Sequence, residues 1–558
     1  MSSVKSLISK NLHVLCTLLF GGAVVLFFGL GYPHHLHYQE QFQLFLFDST
    51  YVWEIVRVPG GVADLLGRFS TQFFLYAWVG ALIIAVLLSA VQILTLLALR
   101  QVLRQAQEPS QGPSQGPWEG LSFVPAFLLW LFLLDENALM GGVWAVLLTQ
   151  LAVWGYALLP KGWIGRIVIL VTIPILYWMV GPSWTGSHYY RFPAVTPWLL
   201  YAAWLSAFVL PLLVFVFRKR ISDSKSFVVT ACSFALVFAI MASVIWKNAN
   251  FRAEKVMQYD FMARHQQWNR ILETANREKP NNQIGVTVQN LALAMHGVLL
   301  DQLFNYNQNG IAGLLPDVKE DATSPLPTAE AFYQLGMINV AQRTVFEAQE
   351  AILDFQKSGR CYKRLAQTNL ILGNYEVARK YLTALQKTLF YSQWADETLP
   401  LLGDEKAIAK HPEYGRLRQL AYEENFYFSD HVTPDMLQSL IFNGAEGESQ
   451  SPTNRLAYDY LMADYLLTGD LENFVNYVGW GEKLGYTAIP RHFQEALALK
   501  WSMGHEKDEQ MPAQVSPDTA QRFSQFLSYI KSPAMSREGL VQYFGDTYWS
   551  YFLNSVQR

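Results

Sequence analysis

Charge is scarce in this chain. Asp, Glu, Lys and Arg make up only 16% of its 558 residues. The scarcity is uneven: residues 1–246 hold 9 acidic and 13 basic side chains, against 36 and 29 in residues 247–558. So few charges exclude a water-exposed surface over most of the first half and suit a chain embedded in a bilayer. The second half is mildly acidic, which excludes the basic stripe that nucleic acid demands, so no nucleic-acid partner is expected. Cysteine is nearly as rare. Cys16 and Cys232 lie in apolar runs, and Cys361 stands alone in the second half, so no disulfide can form within it. That is neutral about compartment, because a large domain can be stable on its core alone. The P-loop, a GxGxxG opening a helix, GxSxG and HExxH are all missing, so no signature implies a cofactor.

Long apolar runs are abundant. Seven can be marked, at about 12–30, 76–98, 120–134, 139–158, 164–181, 196–217 and 226–246. A crossing helix needs about 20 apolar residues at a rise of about 1.5 Å each. The third run is short, and with the fourth it forms either two tight spans or a re-entrant pair. The first run follows Lys5 and Lys10 but exceeds a signal-peptide core, and no A-x-A site follows it, so it reads as an uncleaved helix.

Basic residues in short loops orient the spans. With the N-terminus in the cytoplasm, the inside segments carry Lys5, Lys10, Arg100, Arg104, Lys161, Arg166, Arg218, Lys219, Arg220 and Lys225. The outside segments carry Arg57, Arg68 and Arg191. An odd number of spans then places residues 247–558 outside the cytoplasm. The expected setting is a bacterial cytoplasmic (inner) membrane, with the lipid bilayer itself as a partner. The loop at about 107–117 carries PSQG twice and reads as a flexible connector.

The first outside loop, about 37–74, is too apolar to be solvated. Val52, Ile55 and Val56 fall at helical spacing, and Pro59-Gly60-Gly61 breaks the chain before VADLLGRF resumes it. One or two amphipathic helices at the outer membrane–water boundary are expected. The second half alternates apolar stripes of helical period with short polar breaks. In residues 360–388 one helix ends near Leu372, Gly373-Asn374 turns, and a second helix starts at Tyr375. Leu365, Leu370, Tyr375, Ala378, Tyr381 and Leu382 would fill the space between them. This is similar to a tetratricopeptide unit, with weaker versions at 256–277, 329–353 and 454–478. The fold class expected is all-α: a polytopic membrane domain (1–246) of about seven spans, then an extracytoplasmic, TPR-like stack of helical hairpins (247–558).

The segments QNLALAMHGVLLDQLFNYNQNGIAGLLP (289–316), QLGMINVAQRTVFEAQEA (334–351), KRLAQTNLILGNYEVARKYLTALQKTLFYSQWA (363–395) and AYDYLMADYLLTGDL (457–471) carry a resemblance. They resemble an uncharacterised family of bacterial multi-pass membrane proteins with a domain of unknown function. The resemblance implies the two-part architecture and no activity, cofactor or site residue.

Candidate chemistry concentrates on the outside loops. Glu40, Asp48 and Glu54 in the first loop, with His188 and Arg191 between the fifth and sixth runs, look like polyprenyl-phosphate-sugar glycosyltransferases. There a carboxylate serves as base or metal ligand, and basic residues hold the lipid phosphate. The paired acids usual just after the first span are absent from GYPHHLHYQEQ. The plainer reading is helix caps and an aromatic belt. His34, His35, His37 and Glu40 form HHxHxxE, which is not a recurrent ligand spacing, so no metal is expected. Asn290 and Asp301 would share one face of a continuous helix, where buried, hydrogen-bonded polar groups are the expected reading. The reading preferred on sequence is an envelope interaction scaffold, its stack binding a protein, peptide or envelope component. The other reading is the glycosyltransferase-like enzyme.

Overall fold

The structure, a computed structural model, describes residues 2–106, 116–159, 162–181, 189, 191, 197–217, 227–317, 325–352, 356–421, 432–442, 453–504, 510–533 and 535–556. Every regular element among them is helical. The chain divides into two compact units. The first is Met1–Met257 with Leu353–Gly359 and Ala384–Gln393, and the second is Gln258–Ile352 with Arg360–Thr383 and Trp394–Arg558.

In the first unit α1 (Ser2–Leu26) runs into a π-helical turn, Phe27–Gly31. Three short helices follow: α2 (Pro33–Glu40), α3 (Ser49–Val56) and α4 (Gly61–Thr71). Then come α5 (Ala77–Ala106), α6 (Val124–Phe132), α7 (Met140–Ala157), α8 (Trp163–Val180), α9 (Trp198–Val216) and α10 (Phe227–Asn248). Five stretches are long and apolar enough to cross a membrane: Asn11–Gly31, Ala77–Arg104, Met140–Ala157, Trp198–Val216 and Val228–Asn248. The third and fifth runs give shorter apolar helices, Trp118–Phe132 and Ile167–Val180. Phe20, Phe123 and Trp130 meet edge-to-face in the core of this unit. Thr17 donates to Gln92, and Gln92 donates to Ser122, both at 2.8 Å. Such bonds compensate polar groups removed from water.

The helix ends sort to two sides of this unit. Toward one end of α5, Arg100 pairs with Glu119 at 2.7 Å, ahead of α6. At the other side the loops after α1, α6, α8 and α10 meet. His35 on α2 bonds the Leu133 carbonyl at 2.9 Å. The Arg191 amide donates to Asn137 at 2.8 Å, and the Gly60 amide donates to Trp178 at 2.8 Å. The Asn250 amide donates to the Tyr32 hydroxyl at 2.9 Å. The third apolar run therefore starts near Arg100 and ends beside α2.

The loop at about 37–74 is helical over α2, α3 and α4, and α4 packs on α7. The buried face of α4 consists of Gly61, Ala63, Asp64, Gly67, Ser70 and Thr71. That small, polar face packs on α7, while Phe69 points outward, 39% exposed. Small residues at the contact let backbones approach closely, the usual solution where apolar side chains gain nothing by leaving lipid. The amphipathic reading fits α3, which has no buried residue and exposes Trp53.

The second unit begins within α11 (Phe251–Arg264), followed by α12 (Trp268–Glu278) and α13 (Gln283–Met295). Next come α14 (Pro325–Leu335), α15 (Ile338–Glu350), α16 (Gly359–Ile371), α17 (Tyr375–Gln386), α18 (Ser392–Thr398) and α19 (Tyr414–Leu420). The last are α20 (Pro434–Ile441), α21 (Arg455–Thr468), α22 (Leu471–Val478), α23 (Arg491–Gly504), α24 (Pro517–Ile530) and α25 (Arg537–Phe544). Shorter turns are left unnumbered. Successive helices pair as hairpins, including α12 with α13, α14 with α15, and α21 with α22.

Gly373 turns α16 into α17 at φ +81°, a conformation side chains resist. Leu365, Leu370, Ala378 and Leu382 are buried, as their spacing predicts. Tyr375 is not fully buried: its hydroxyl bonds Glu405 and accepts from Arg418 at 2.8 Å. Ala378 has no exposed surface. Ala378→Leu should cost about 1–3 kcal/mol by overpacking. Thermal unfolding of the purified chain should show it, and an unchanged midpoint would refute the close packing. The continuous helix expected through Asn290 and Asp301 breaks after Met295, where Gly297 has φ +68°. Asn290 is buried and donates to Gln308 and to the Gly313 carbonyl at 2.9 and 3.0 Å.

Candidate functional site

The five candidate residues can be taken from the backbone outward. Asp48 precedes α3 and caps it, accepting from the Thr50 and Tyr51 amides at 3.0 and 3.2 Å. Such a cap satisfies amide donors that the first helical turn leaves open. Its other oxygen meets the Lys387 ammonium at 2.6 Å. Lys387 above all holds the Asp48 carboxyl below its usual range, helped by the Tyr51 amide. Glu54, one turn on, is exposed.

Glu40 closes α2 and is buried. It accepts a 2.8 Å hydrogen bond from the Tyr391 hydroxyl. Between Glu40 and Asp48 the backbone is extended and paired. The Leu44 amide donates to Lys357 at 2.8 Å, and the Phe47 amide to Lys387 at 2.7 Å. Phe390 packs edge-on to Phe73 and Tyr76. Two of the three candidate carboxylates thus grip residues some 340 positions later, all within the first unit.

Arg191 is buried, its guanidinium 3.6 Å from the Phe42 ring centre and 5.2 Å from that of Tyr38. Burial lowers its pKa, opposed mainly by Tyr38. Tyr38 and Phe42 lie on a different face of the chain from Glu40, so the two charged candidates are directed to separate partners. His188 lies outside the described residues.

Two of the three histidines of HHxHxxE bond carbonyls. His35 reaches Leu133, and burial pushes its pKa down to about 3, which keeps the ring neutral. His37 reaches the Phe74 carbonyl at 3.1 Å. Among the described residues no three His, Cys, Asp or Glu side chains gather as a metal site would require.

Sequence reasoning missed several residues here. Lys387 and Tyr391 carry no motif, and nothing local pairs them with residues 40–48. Asp64, itself one of the acidic residues of the first loop, pairs unforeseen with Arg68 one turn on along α4, a buried 2.8 Å ion pair that their i,i+4 spacing signalled. Glu254 on α11 accepts from the His34 and His35 amides at 2.8 Å each, capping α2.

Burial raises the Glu254 pKa to about 7, against the lowering effect of those two amide bonds. The folded value thus lies above the unfolded one, near 4.3. Its contribution to stability is full below the unfolded value and is lost as pH rises through about 7. Thermal stability should fall between pH 5 and 8 by on the order of 2 kcal/mol. The Glu254→Gln variant should lose that slope, and an identical slope in both proteins would refute the assignment.

Two apolar cavities are described in this unit. One, of about 500 Å³, lies among α7, α8 and α9 beside Ala152, Gly155, Thr172 and Phe208. The other, of about 200 Å³, lies among α1, α6 and α10. Among the described residues, Glu40, Asp48, Glu54 and Arg191 line neither cavity. The chemistry on view is capping, ion pairing and cation–π packing.

The model of a protein family described as a family of unknown function (DUF6057) matches residues 8–185 and 182–555. Neither a curated protein nor a solved structure matches the chain.

Proposed function

Because the chain belongs to DUF6057, a family of unknown function, we propose its role from its own architecture: an envelope interaction scaffold. The membrane unit anchors it with the N-terminus in the cytoplasm, and a TPR-like stack outside binds a protein, peptide or envelope component. One observation carries this choice over an enzyme. Glu40 and Asp48 are committed to Tyr391 and Lys387. A base or metal ligand would have to be free to meet substrate. Repeat stacks offer extended grooves whose side chains contact a partner rather than transform it.

The orientation is supported by the basic-residue bias and by the gathering of the loops after α1, α6, α8 and α10 on one side. That gathering is what seven alternating passes would produce. Cys361 is buried, so the test needs a placed thiol. Lys380→Cys, at an exposed position on α17, is combined with Cys232→Ser. The placed thiol should react with a membrane-impermeant maleimide in cells whose outer membrane alone is permeabilised. Labelling only after the inner membrane is broken would remove the scaffold proposal. A photo-cross-linker at position 380 should then yield a discrete, reproducible adduct with an envelope component.

A further inference from the structure

Three helices of the second unit bring an unusual set of donors together. From α14 come Glu330, Tyr333 and Gln334; from α16, Lys363 and Arg364; from α19 and the residue before it, Arg416 and Glu413. One Arg364 nitrogen bonds both oxygens of Glu330 at 2.6 Å. The guanidinium stacks 3.7 Å from the Tyr333 ring centre. Its other terminal nitrogen, Nη1, is buried and has no hydrogen-bond partner. Gln334 is 1% exposed. Its oxygen accepts from Arg416 at 2.6 Å, which fixes the amide, and its nitrogen is left buried without an acceptor.

At the rim, the Lys363 ammonium sits 4.8 Å from the Trp394 ring centre. It makes no ion pair with a described residue. Burial above all lowers the Lys363 pKa, with nearby Arg264 and then Arg364 adding to it, while Glu413 and Glu330 oppose the shift. The neighbouring Arg360 is matched separately by Asp260 at 2.6 and 2.8 Å. Lys363, Arg364 and Arg416, with Arg264 close by, thus face two carboxylates, Glu330 and Glu413.

We propose that this cluster binds a carboxylate presented by an acidic polypeptide segment. Buried donors without acceptors are costly, and charged ones most of all. One carboxylate supplies acceptor oxygens for Arg364 Nη1 and the Lys363 ammonium, and its negative charge complements the basic excess around them. Lys363 and Trp394 are only partly buried, which leaves the rim open to a partner. The inference deepens the scaffold reading and rests on it.

The test uses the full chain in lipid nanodiscs and a fluorescent hexaglutamate peptide, with hexaglutamine as the neutral control. Lys363→Met keeps the stem against Trp394 and removes the charge. Hexaglutamate should bind, hexaglutamine should not, and Lys363→Met should weaken hexaglutamate about tenfold, a factor set by one charge-assisted hydrogen bond. Should Lys363→Met fail to fold, the wild-type chain still answers. Bound hexaglutamate should slow acylation of the Lys363 amine, read by mass spectrometry. Unchanged affinity in the variant, or no protection, overturns the site. Displacement of hexaglutamate by inorganic phosphate at concentrations where acetate has no effect overturns the carboxylate assignment. If Lys363→Met leaves the cross-link from position 380 undiminished, the scaffold reading stands and this site falls.

Discussion

Gly67→Leu is expected to destabilise the first unit by about 3 kcal/mol or more, the upper end of what overpacking costs. A Cβ at position 67 would lie 2.3 Å from the Gly141 nitrogen and 2.6 Å from its Cα. Both obstacles are backbone atoms of α7, so no rotamer change relieves the clash and the two helices must separate. Separation would also disturb Asp64, whose Cα lies 3.3 Å from where a Gly141 Cβ would be, and Tyr189 on the other side of Gly141. Gly155 on the same helix α7 is the control. A Cβ there meets nothing within 4 Å, so Gly155→Ala should be tolerated. The measurement is thermal unfolding in detergent, followed by intrinsic fluorescence and by aggregation. If Gly67→Leu and Gly155→Ala melted together, the α4–α7 contact would not be part of the folded unit.

Gly67 also shows where the sequence was readable and where it was not. The apolar runs announced the long spans, because hydrocarbon thickness sets helix length directly. The hairpins of the second unit were visible for a similarly local reason: a glycine at a helix end, as at Gly373, marks the turn. The face that α4 buries was not legible, because an amphipathic pattern says which side is apolar and not what surrounds it. Leu65, Leu66 and Phe69 make the apolar side of α4, yet the Ala63, Asp64, Gly67 and Ser70 side is the buried one.

The partners of the candidate carboxylates were illegible for another reason. Glu40 and Asp48 sit in a loop where a catalytic acid is plausible, and their partners lie more than 300 residues on. Composition and spacing carry no information about such a contact, so the sequence left them looking uncommitted. Arg191 was among the basic residues that would hold a lipid phosphate in the glycosyltransferase-like reading. Its charge is used on Phe42 and Tyr38, a packing role that its residue type alone does not distinguish from anion binding.

In the second unit the largest single loss is expected at Glu495 on α23. The residue is 2% exposed, and its carboxylate is shared among three donors. One oxygen accepts from Arg491 at 3.0 Å. The other meets the His492 ring at 2.9 Å and the Tyr548 amide at 2.8 Å. The Glu495 carbonyl accepts from the Trp549 indole at 2.7 Å. His492 has no exposed surface, and its far nitrogen accepts from the Phe304 amide at 3.3 Å. The near nitrogen therefore carries the proton that Glu495 receives. Removing the carboxylate leaves that N–H and the Tyr548 amide without an acceptor in a buried site. Arg491 keeps Asp546 at 2.7 Å. Breaking a buried charged network by deleting one partner costs about 3–5 kcal/mol. Glu495→Ala should lower the Tm of the second unit accordingly and free the segment beyond α24, so that trypsin cuts at Lys531 or Arg537. Glu495→Gln keeps one acceptor oxygen and should fall between the two. Wild-type Tm and protease resistance in Glu495→Ala would mean that the closing residues of the chain are held by the packing of Phe523, Phe526 and Trp549 alone, with the carboxylate a bystander.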